Sequence, residues 1–366
     1  MNDTNHHIKI KKWLYPISFL YGIGVRIRNS LFNWNVLKSK TFKLPIICIG
    51  NLTVGGTGKT PHTEYILSLL QKDYHSAVLS RGYKRKTKGY ILASSTSTAQ
   101  DIGDEPYQIK QKFPNTAVAV DANRCRGISE LIKLDKPQID VILLDDAYQH
   151  RYVNAGLNIL LTDYNRLICD DKLLPAGYLR EPIHEKNRAN IVIVTKCPHD
   201  IKPIDYNIIG KRLDLYPFQK LYFSTLKYGQ LYPIFETENT EQIKLENIST
   251  FDNVLLLTGI ANPKYLIEEI TKHTDKFSCL SYKDHHQFTE KDIKNIEHKF
   301  NAIAGEEKII ITTEKDAMRL IHNPHLSDKV KAKLYIIPIE IEILQDKQTD
   351  FNKNILDYVR EDKRNC

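Results

Sequence analysis

Short apolar runs alternate with amphipathic stretches along most of this chain. Such runs are typical of parallel strands that are covered on both faces, and the stretches between them repeat apolar residues at helical spacing. The runs lie at 44–50, 77–79, 117–120, 141–144, 157–161, 191–194, 277–282, 308–312 and 334–341, with one more that begins at 253. The pattern therefore predicts an α/β fold with a mostly parallel sheet flanked by helices.

The first run leads directly into a glycine-rich turn and a helical stretch. Residues 44–70 read LPIICIG, NLTVGGTGKT and PHTEYILSLL, which is the strand–loop–helix order of a P-loop. In such a motif the loop amides and the helix N-terminus bind phosphate, the lysine adds a charge, and the hydroxyl after it ligates Mg²⁺. The predicted nucleotide-binding residues are Thr53, Val54, Gly55, Gly56, Thr57, Gly58, Lys59 and Thr60.

This P-loop departs from the full pattern at one position, because Thr53 stands where the pattern has glycine. A glycine-rich turn before an ordinary helix is the alternative interpretation, but it does not account for the Lys59–Thr60 pair.

The run at 141–144 ends in Asp145 and Asp146. An apolar strand that closes in aspartate is typical of a Walker B motif, whose carboxylate reaches the Mg²⁺ beside the P-loop. Either aspartate, together with Thr60, is therefore a predicted metal ligand. Gln149 and His150 follow within one turn and are predicted to reach the nucleotide site.

Charged residues follow two other predicted elements. Five basic residues lie within 81–88, where a solvated loop and an anion-binding loop are both possible, and the strand-end position favours the second. Asp104 and Glu105 open a helical pattern at 104–113. A carboxylate there can serve as an acid or base, or it can simply complement the helix dipole.

The charge of the chain is concentrated at its N-terminus. The net charge is +8, and residues 1–43 hold eight Lys or Arg against the single acid Asp3. Residues 8–40 also contain both tryptophans, Trp13 and Trp34, and an apolar run at 13–25 that is too short to span a bilayer. We predict a segment that lies in an anionic membrane interface, although a helix that packs on the protein's own core, or one that does both, is the alternative.

The remaining composition excludes several classes of protein. The basic residues flank apolar runs rather than forming a stripe, so no nucleic-acid partner is expected. Six cysteines without a CxxC pair favour a reducing compartment, and no cleavage site indicates a signal peptide. The 366 residues suit two domains with an appendage. We predict a segment at 1–43, a P-loop core at 44–215, a smaller α/β subdomain with linking β segments at 216–345, and a polar tail at 346–366.

A series of ordered motifs resembles the tetraacyldisaccharide 4′-kinase (lipid A 4′-kinase) family. The motifs are GNLTVGGTGKTP (50–61), SRGY (80–83), GDEP (103–106), ANR (122–124), LLDDAYQH (143–150), LLPAGYLREP (173–182), VTKCP (194–198), LLTGIANP (256–263), DHHQF (284–288) and TEKDAMRL (313–320). The chain differs mildly at Ala147 and Tyr148, where the family more often has Gly-Phe. The resemblance does not extend to the C-terminal tail.

The resemblance implies transfer of the γ-phosphate of ATP to the 4′-hydroxyl of a tetraacyl glucosamine disaccharide 1-phosphate, at the cytoplasmic face of the bacterial inner membrane. It implies that Asp104 is the catalytic base, with His285 as its partner, and that Lys59 serves the phosphates. Glu105, Gln149, His150 and Glu181 match other active-site positions, and Ser80, Arg81, Arg124 and Arg180 match substrate-side or phosphate-side positions.

Two other classes of function remain open from the residues themselves. One is a P-loop ligase or transferase that acts on a soluble acid, like dethiobiotin synthetase. The other is a nucleotide-switched, membrane-associated partitioning protein, although a switch has little use for the acid–base residues of the GDE and DHH segments. GTP has no support, because Pro198 stands where a guanine-reading motif has aspartate.

Overall fold

The computed structural model describes residues 10–235, 241–260, 262–284 and 286–364. The chain forms two compact units. The first, here called the P-loop unit, comprises Met1–Ser97, Ile109–Leu226 and Ile341–Cys366, and the second unit comprises Thr98–Gln108 and Lys227–Glu340. The second unit therefore takes a short segment from the middle of the P-loop unit's sequence.

A nine-stranded sheet forms the centre of the P-loop unit, in the order β14-β8-β7-β6-β1-β5-β2-β4-β3. The strands from β8 to β4 in this order pair in parallel, and β3 is antiparallel to β4. The strands are β1 (Ile46–Asn51), β2 (Ser76–Ser80), β3 (Ile91–Leu92), β4 (Ala117–Val120), β5 (Val141–Asp145), β6 (Leu157–Asp163), β7 (Ile191–Thr195), β8 (Lys220–Tyr228) and β14 (Ile339–Ile343). The predicted mostly parallel α/β fold is confirmed.

Helices accompany this sheet, and the central strands are buried along their whole length. All residues of β1, β5 and β7 are buried, which explains why their sequences are unbroken apolar runs rather than alternating ones. The helices are α1 (Tyr15–Asn33), α2 (Lys59–Leu70), α4 (Asp104–Lys112), whose first half belongs to the second unit, α5 (Arg124–Ile132), α6 (Pro203–Leu213) and α11 (Gln348–Arg364).

The pairing of β1 with β5 positions the nucleotide motifs. The strands are parallel and in register with Ile49 opposite Asp145, so the P-loop and the Walker B aspartates emerge at the same sheet edge. Gly50 is required for this arrangement, because a Cβ there would lie 2.7 Å from the Cβ of Tyr148. The two motifs are brought together by backbone pairing across about a hundred residues of sequence.

The second unit has its own five-stranded sheet, in the order β11-β10-β12-β13-β9. All pairs are parallel except that of β9 with β13. Its elements are α3 (Ala99–Ile102), β9 (Tyr232–Pro233), β10 (Asn253–Thr258), α7 (Lys264–His273), β11 (Phe277–Ser281), α8 (Glu290–Ala302), β12 (Lys308–Thr313), α9 (Glu314–Leu320), α10 (Asp328–Lys331) and β13 (Leu334–Ile337).

Two expectations from the sequence are wrong near the C-terminus. The apolar run at 334–341 is two strands, β13 and β14, which are separated at Pro338 and belong to different sheets. The segment interpreted as a polar tail forms α11, and its Phe351, Ile355 and Val359 are buried. Three apolar residues at a spacing of four make one narrow helical face, which average polarity conceals.

Candidate active site

The P-loop leaves β1 and ends where α2 begins at Lys59. Gly55 and Gly58 have positive φ angles of +105° and +82°, and residues that carry a side chain rarely adopt such angles. The Lys59 ammonium lies 3.6 Å from the carboxylate of Asp146. The structure therefore brings the predicted phosphate-binding lysine and a predicted metal ligand together.

Four carbonyl groups of the P-loop accept hydrogen bonds from side chains outside the loop. The pairs are Arg166 with Val54, Lys196 with Gly56, Thr195 with Thr57, and His62 with Gly58. Lys196 is itself held by the Asp163 carboxylate at 2.7 Å. Binding the carbonyls from outside fixes the orientation of the peptide planes whose N–H groups form an anion-binding nest.

His62 is buried beneath the loop and bonded at both ring nitrogens. Nδ1 lies 2.7 Å from the Gly58 carbonyl, which can only accept, so Nδ1 carries the proton. Nε2 lies 3.0 Å from the hydroxyl of Ser224 and accepts from it. Burial, aided by the charge of Lys196, lowers the pKa of His62 to about 4, so the ring is neutral near pH 7.

The sequence motifs do not indicate a role for Arg166, Lys196 or His62. Lys196 lies inside the VTKCP motif, and His62 directly follows the GKTP motif. A signal for Lys196 did exist, because it follows the predicted strand at 191–194, and the carboxyl ends of parallel strands meet at one edge of a sheet.

The two Walker B aspartates have different surroundings. Asp145 is buried at the end of β5, where the Thr63 hydroxyl donates to it over 3.5 Å. Asp146 lies 3.3 Å from Arg180 and 3.6 Å from Lys59. Burial alone would raise the pKa of Asp146, but these charges outweigh it and hold that pKa below its usual value. Asp146 is therefore ionised at neutral pH.

No group of three or more His, Cys, Asp or Glu side chains within the described ranges could hold a metal ion by itself. Mg²⁺ in nucleotide sites usually takes one or two carboxylates, and the substrate phosphates and water complete its shell. The carboxylates of Asp145 and Asp146 and the hydroxyl of Thr60 are hard oxygen donors on adjacent elements. This donor set fits an ion that arrives with a nucleotide.

A second group of predicted residues forms a basic cluster beside β5. Burial and the charges of Arg124, Arg28 and Arg81 lower the pKa of His150 to about 4. Both Nε of Arg124 and Nε2 of His150 are buried without a hydrogen-bond partner in the described part of the chain. Ser80 is buried at the end of β2, and Arg81 is exposed directly after it. A cluster of this kind suits an anionic group.

Glu181 and Gln149 lie between α1 and the P-loop unit's sheet. Buried Glu181 accepts from Arg188 at 2.7 Å, from Asn29 at 3.3 Å and from Gln149 at 3.4 Å. The Gln149 amide also donates to the carbonyl of Asn51, directly before the P-loop. The two side chains therefore link α1 to the nucleotide motifs.

Helix α1 buries Ser18, Gly22 and Asn29 together with Phe32, and it exposes most of its other large apolar residues. Ser18 accepts from the amide of Ala176 and donates to the carbonyl of Leu173, and Gly22 lies against Leu173. The exposed apolar face, defined as its side chains that are at least half exposed, comprises Ile17, Phe19, Leu20 and Ile27, with Trp13 and Trp34 at its ends. One face packs on the protein, as the second interpretation predicts, and the membrane interface stays a prediction for the exposed face.

In the described part of the chain, no helix combines the length and the apolar character needed to cross a membrane.

The proposed acid–base residues belong to the second unit. Asp104 begins α4, and its Oδ2 accepts from Nε and Nη2 of Arg319 at 2.9 and 2.8 Å. Glu105 lies 3.7 Å from Lys315, which also contacts Asp284 at 3.3 Å. His285, the predicted partner of Asp104, lies outside the described residues, and that pairing stays a prediction.

The sequence matches a known protein family over most of its length. The model of the family described as tetraacyldisaccharide-1-P 4′-kinase matches residues 10–360. The chain belongs to this family. The match continues past residue 320, where the quoted motifs end, and includes most of α11. The expectation that the C-terminal segment falls outside the family is therefore wrong.

Curated relatives support the same assignment over nearly the full length. A tetraacyldisaccharide 4′-kinase of Bacteroides thetaiotaomicron is 58% identical, covering 98% of this chain and 96% of its own. One from Flavobacterium johnsoniae is 45% identical, covering 96% of this chain and 98% of its own. Together with the family match, they confirm the identification of an ATP-dependent kinase. The soluble-acid ligase and the partitioning protein are disfavoured.

A solved structure shares the fold. It is described as the "apo" form of LpxK from Aquifex aeolicus in complex with ATP, with a TM-score of 0.72 and 26% identity. The similarity covers 95% of this chain and 99% of that one.

Proposed function

We propose that this chain transfers the γ-phosphate of ATP to the 4′-hydroxyl of a tetraacyl glucosamine disaccharide 1-phosphate, a lipid A precursor. The observation that carries the proposal is the proximity of Lys59 and Asp146, whose charged groups lie 3.6 Å apart at one sheet edge. The family match from residue 10 to residue 360 supports the same function.

The P-loop unit supplies the nucleotide site in this proposal. Loop amides between Thr53 and Thr60 and the N-terminus of α2 bind the phosphates, and Lys59 places a positive charge against them. Thr60, Asp145 and Asp146 would hold Mg²⁺, which when bound neutralises charge on the transferring phosphoryl group. Phosphoryl transfer needs little more from a protein than positioning and charge stabilisation.

Asp104 provides the acid–base chemistry. A sugar hydroxyl is a poor nucleophile at neutral pH, and a carboxylate that accepts its proton as the phosphorus–oxygen bond forms accelerates attack. A free aspartate, with a pKa of ~3.9, is a weak base. A paired imidazole from His285 would orient it and stabilise it as it takes the proton. Glu105 is an additional acidic residue in the same first turn of α4.

The basic cluster binds anionic groups of the reactants. Arg81, Arg124 and Arg180, with Ser80, are assigned to the phosphate groups of the acceptor or the nucleotide. The buried Nε atom of Arg124, without a hydrogen-bond partner among the described residues, supports this assignment, because buried donors in proteins are rarely left unpaired.

The acceptor reaches the enzyme from a membrane surface. The exposed apolar face of α1 and the net charge of +7 in residues 1–43 suit a helix that lies in an anionic interface. Peripheral attachment to the cytoplasmic face of the inner membrane follows for a lipid substrate, and no nucleic-acid partner is involved.

The direct test is transfer of label from [γ-³²P]ATP, with Mg²⁺, to lipid A disaccharide 1-phosphate. The proposal predicts labelled lipid from the wild-type protein, none from Lys59→Met, and none from an acceptor whose 4′-position is already phosphorylated. Failure to label the lipid, with protein that still binds ATP, overturns the assignment.

A further inference from the structure

A buried ion network surrounds Arg319 in the second unit. Arg319 lies on α9, and the exposed fraction of its side chain is 0%. Its guanidinium contacts Asp104 at 2.8 Å on one side and Asp316 at 2.8 Å on the other. A guanidinium between two carboxylates is held in one plane and one position.

The contact with Asp104 is directional. Nε and Nη2 of Arg319 both donate to the same atom, Oδ2, at 2.9 and 2.8 Å. Neither of these two bonds involves Oδ1. Two donors on one oxygen fix the rotation of the carboxylate about its Cβ–Cγ bond, and this sets the direction in which the lone pairs of Oδ1 point.

The other side of Arg319 is anchored to the sheet of the second unit. Asp316 accepts from Nη1 of Arg319 at 2.8 Å through Oδ1. Its Oδ2 accepts from the amide of Gly259, after β10, and from the hydroxyl of Thr313, at the end of β12, both at 2.8 Å. The guanidinium is thus fixed relative to the ends of two central strands.

From this geometry we propose that Arg319 is a positioning residue for Asp104, transmitting the rigid position of the strand ends to the carboxylate that takes the acceptor proton. The inference rests on the proposed function, because it presumes that Asp104 is the base. Arg319 itself touches no reactant in this role.

Stability alone is a weaker explanation of the network. Buried ion pairs often contribute little net stability compared with apolar residues of similar size. A proton-accepting carboxylate has a stricter requirement, since a displacement of about 1 Å at the reacting groups can cost on the order of 10²-fold in rate.

A double-mutant cycle between Asp104→Asn and Arg319→Gln tests the inference. The readouts are kcat with ATP and the lipid acceptor, KM for ATP, and the thermal midpoint of each variant. Arg319→Gln should lower kcat on the order of 10²-fold with KM for ATP unchanged. In the Asp104→Asn background the same substitution should cause no further loss, because its effect acts through the carboxylate.

Tyr107→Phe is the matched control. It tests whether losing any contact that holds α4 in place lowers kcat, or only the contact with the Asp104 carboxylate. The Tyr107 hydroxyl contacts Nε2 of His322 at 2.6 Å, so it joins α4 to the residues just after α9, as the Asp104–Arg319 pair joins α4 to α9. This variant should keep the wild-type kcat. If Arg319→Gln does not fold, Arg319→Lys, which keeps the charge but loses the forked contact, should still lower kcat at constant KM for ATP.

Three results would overturn the positioning role. They are a wild-type kcat in the folded Arg319 variant, an equal loss of kcat in the Asp104→Asn background, and an equal loss in Tyr107→Phe. A wild-type kcat in Asp104→Asn alone is a different outcome, because it removes the base proposed above whatever Arg319 does.

Discussion

At the scale of single residues, the P-loop depends on side chains that motif patterns do not include. The motif residues from Thr53 to Thr60 can be recognised in the sequence, since they occupy consecutive positions. The side chains of Lys196 and Arg166 bind the loop carbonyls from more than a hundred positions away in sequence. The order of the strands in the sheet brings them there, and that order cannot be inferred from a single sequence.

Lys196→Met should weaken ATP binding about tenfold, because a hydrogen bond from a charged group contributes ~1.5–3 kcal/mol, less at an exposed carbonyl such as that of Gly56, and ~1.4 kcal/mol is a factor of ten. The measurement is the Kd for ATP by calorimetry. Lys211→Met, which changes an exposed lysine in the last turn of α6, is the matched control and should leave the Kd unchanged. Equal affinities in all three proteins would contradict a role for Lys196 in shaping the loop.

His62 should make stability fall in mild acid. Its pKa is about 4 in the folded protein against 6.5 for an ordinary histidine, so the unfolded chain binds more protons between these values. The stabilisation is present above pH 6.5 and is lost as the pH falls towards 4. Linkage gives a loss of roughly 2 kcal/mol between pH 7 and pH 5.

Urea unfolding of wild type and His62→Gln at pH 7 and pH 5 measures the pH-dependent contribution of His62 to the free energy of unfolding. The variant should lose less stability on acidification than the wild type. His150, whose pKa is also about 4, keeps its own contribution in both proteins. An identical pH dependence in the two proteins would show that His62 is not held neutral.

At the scale of elements, α1 reverses the usual pattern of burial. The side facing the protein holds Ser18, Gly22 and Asn29 beside one buried aromatic residue, Phe32, and most of the other large apolar side chains face outward. The sequence predicts a helical segment of this character but does not show which face packs, because small and polar residues carry little hydrophobic signal. Their hydrogen bonds to distant loops decide it.

The triple variant Phe19→Ser, Leu20→Ser and Ile27→Ser should release the protein from anionic vesicles. Each side chain is more than half exposed, and burying one in a membrane contributes ~1.5–3 kcal/mol, so partitioning should fall more than about a hundredfold. Sedimentation with phosphatidylglycerol vesicles measures it.

A matched control uses exposed aromatic residues elsewhere. Tyr216→Ser with Phe218→Ser removes a stacked exposed pair after α6 and should leave vesicle binding unchanged. Undiminished binding by the α1 variant, or an equal loss in the control, would contradict the membrane role of this face.

At the scale of the whole molecule, the two units are interleaved along the chain. The alternation of strands and helices was enough to predict a parallel α/β fold and a second α/β part. It could not reveal that Thr98–Gln108, which carries Asp104, belongs to the second unit, or that the last segment returns to the first. Both facts depend on contacts between residues far apart in sequence.

Helix α11 should stabilise the P-loop unit from the far end of the chain. Ile355 is fully buried, and the Tyr358 hydroxyl bonds the backbone of Ile46 in β1. Ile355→Ala should cost ~2–5 kcal/mol of unfolding free energy, measured by urea titration. Lys353→Ala, at an exposed position on the same helix, is the control. Equal stability of the two variants would mean that α11 is not part of the core.

The measurement that tests the central claim most directly compares Asp104→Asn with wild type in phosphoryl transfer from ATP to lipid A disaccharide 1-phosphate, with ATP affinity measured in parallel. A carboxylate that accepts the acceptor proton predicts a kcat lower by roughly 10²–10⁴-fold at an unchanged Kd for ATP. A near-normal kcat in the variant would contradict it.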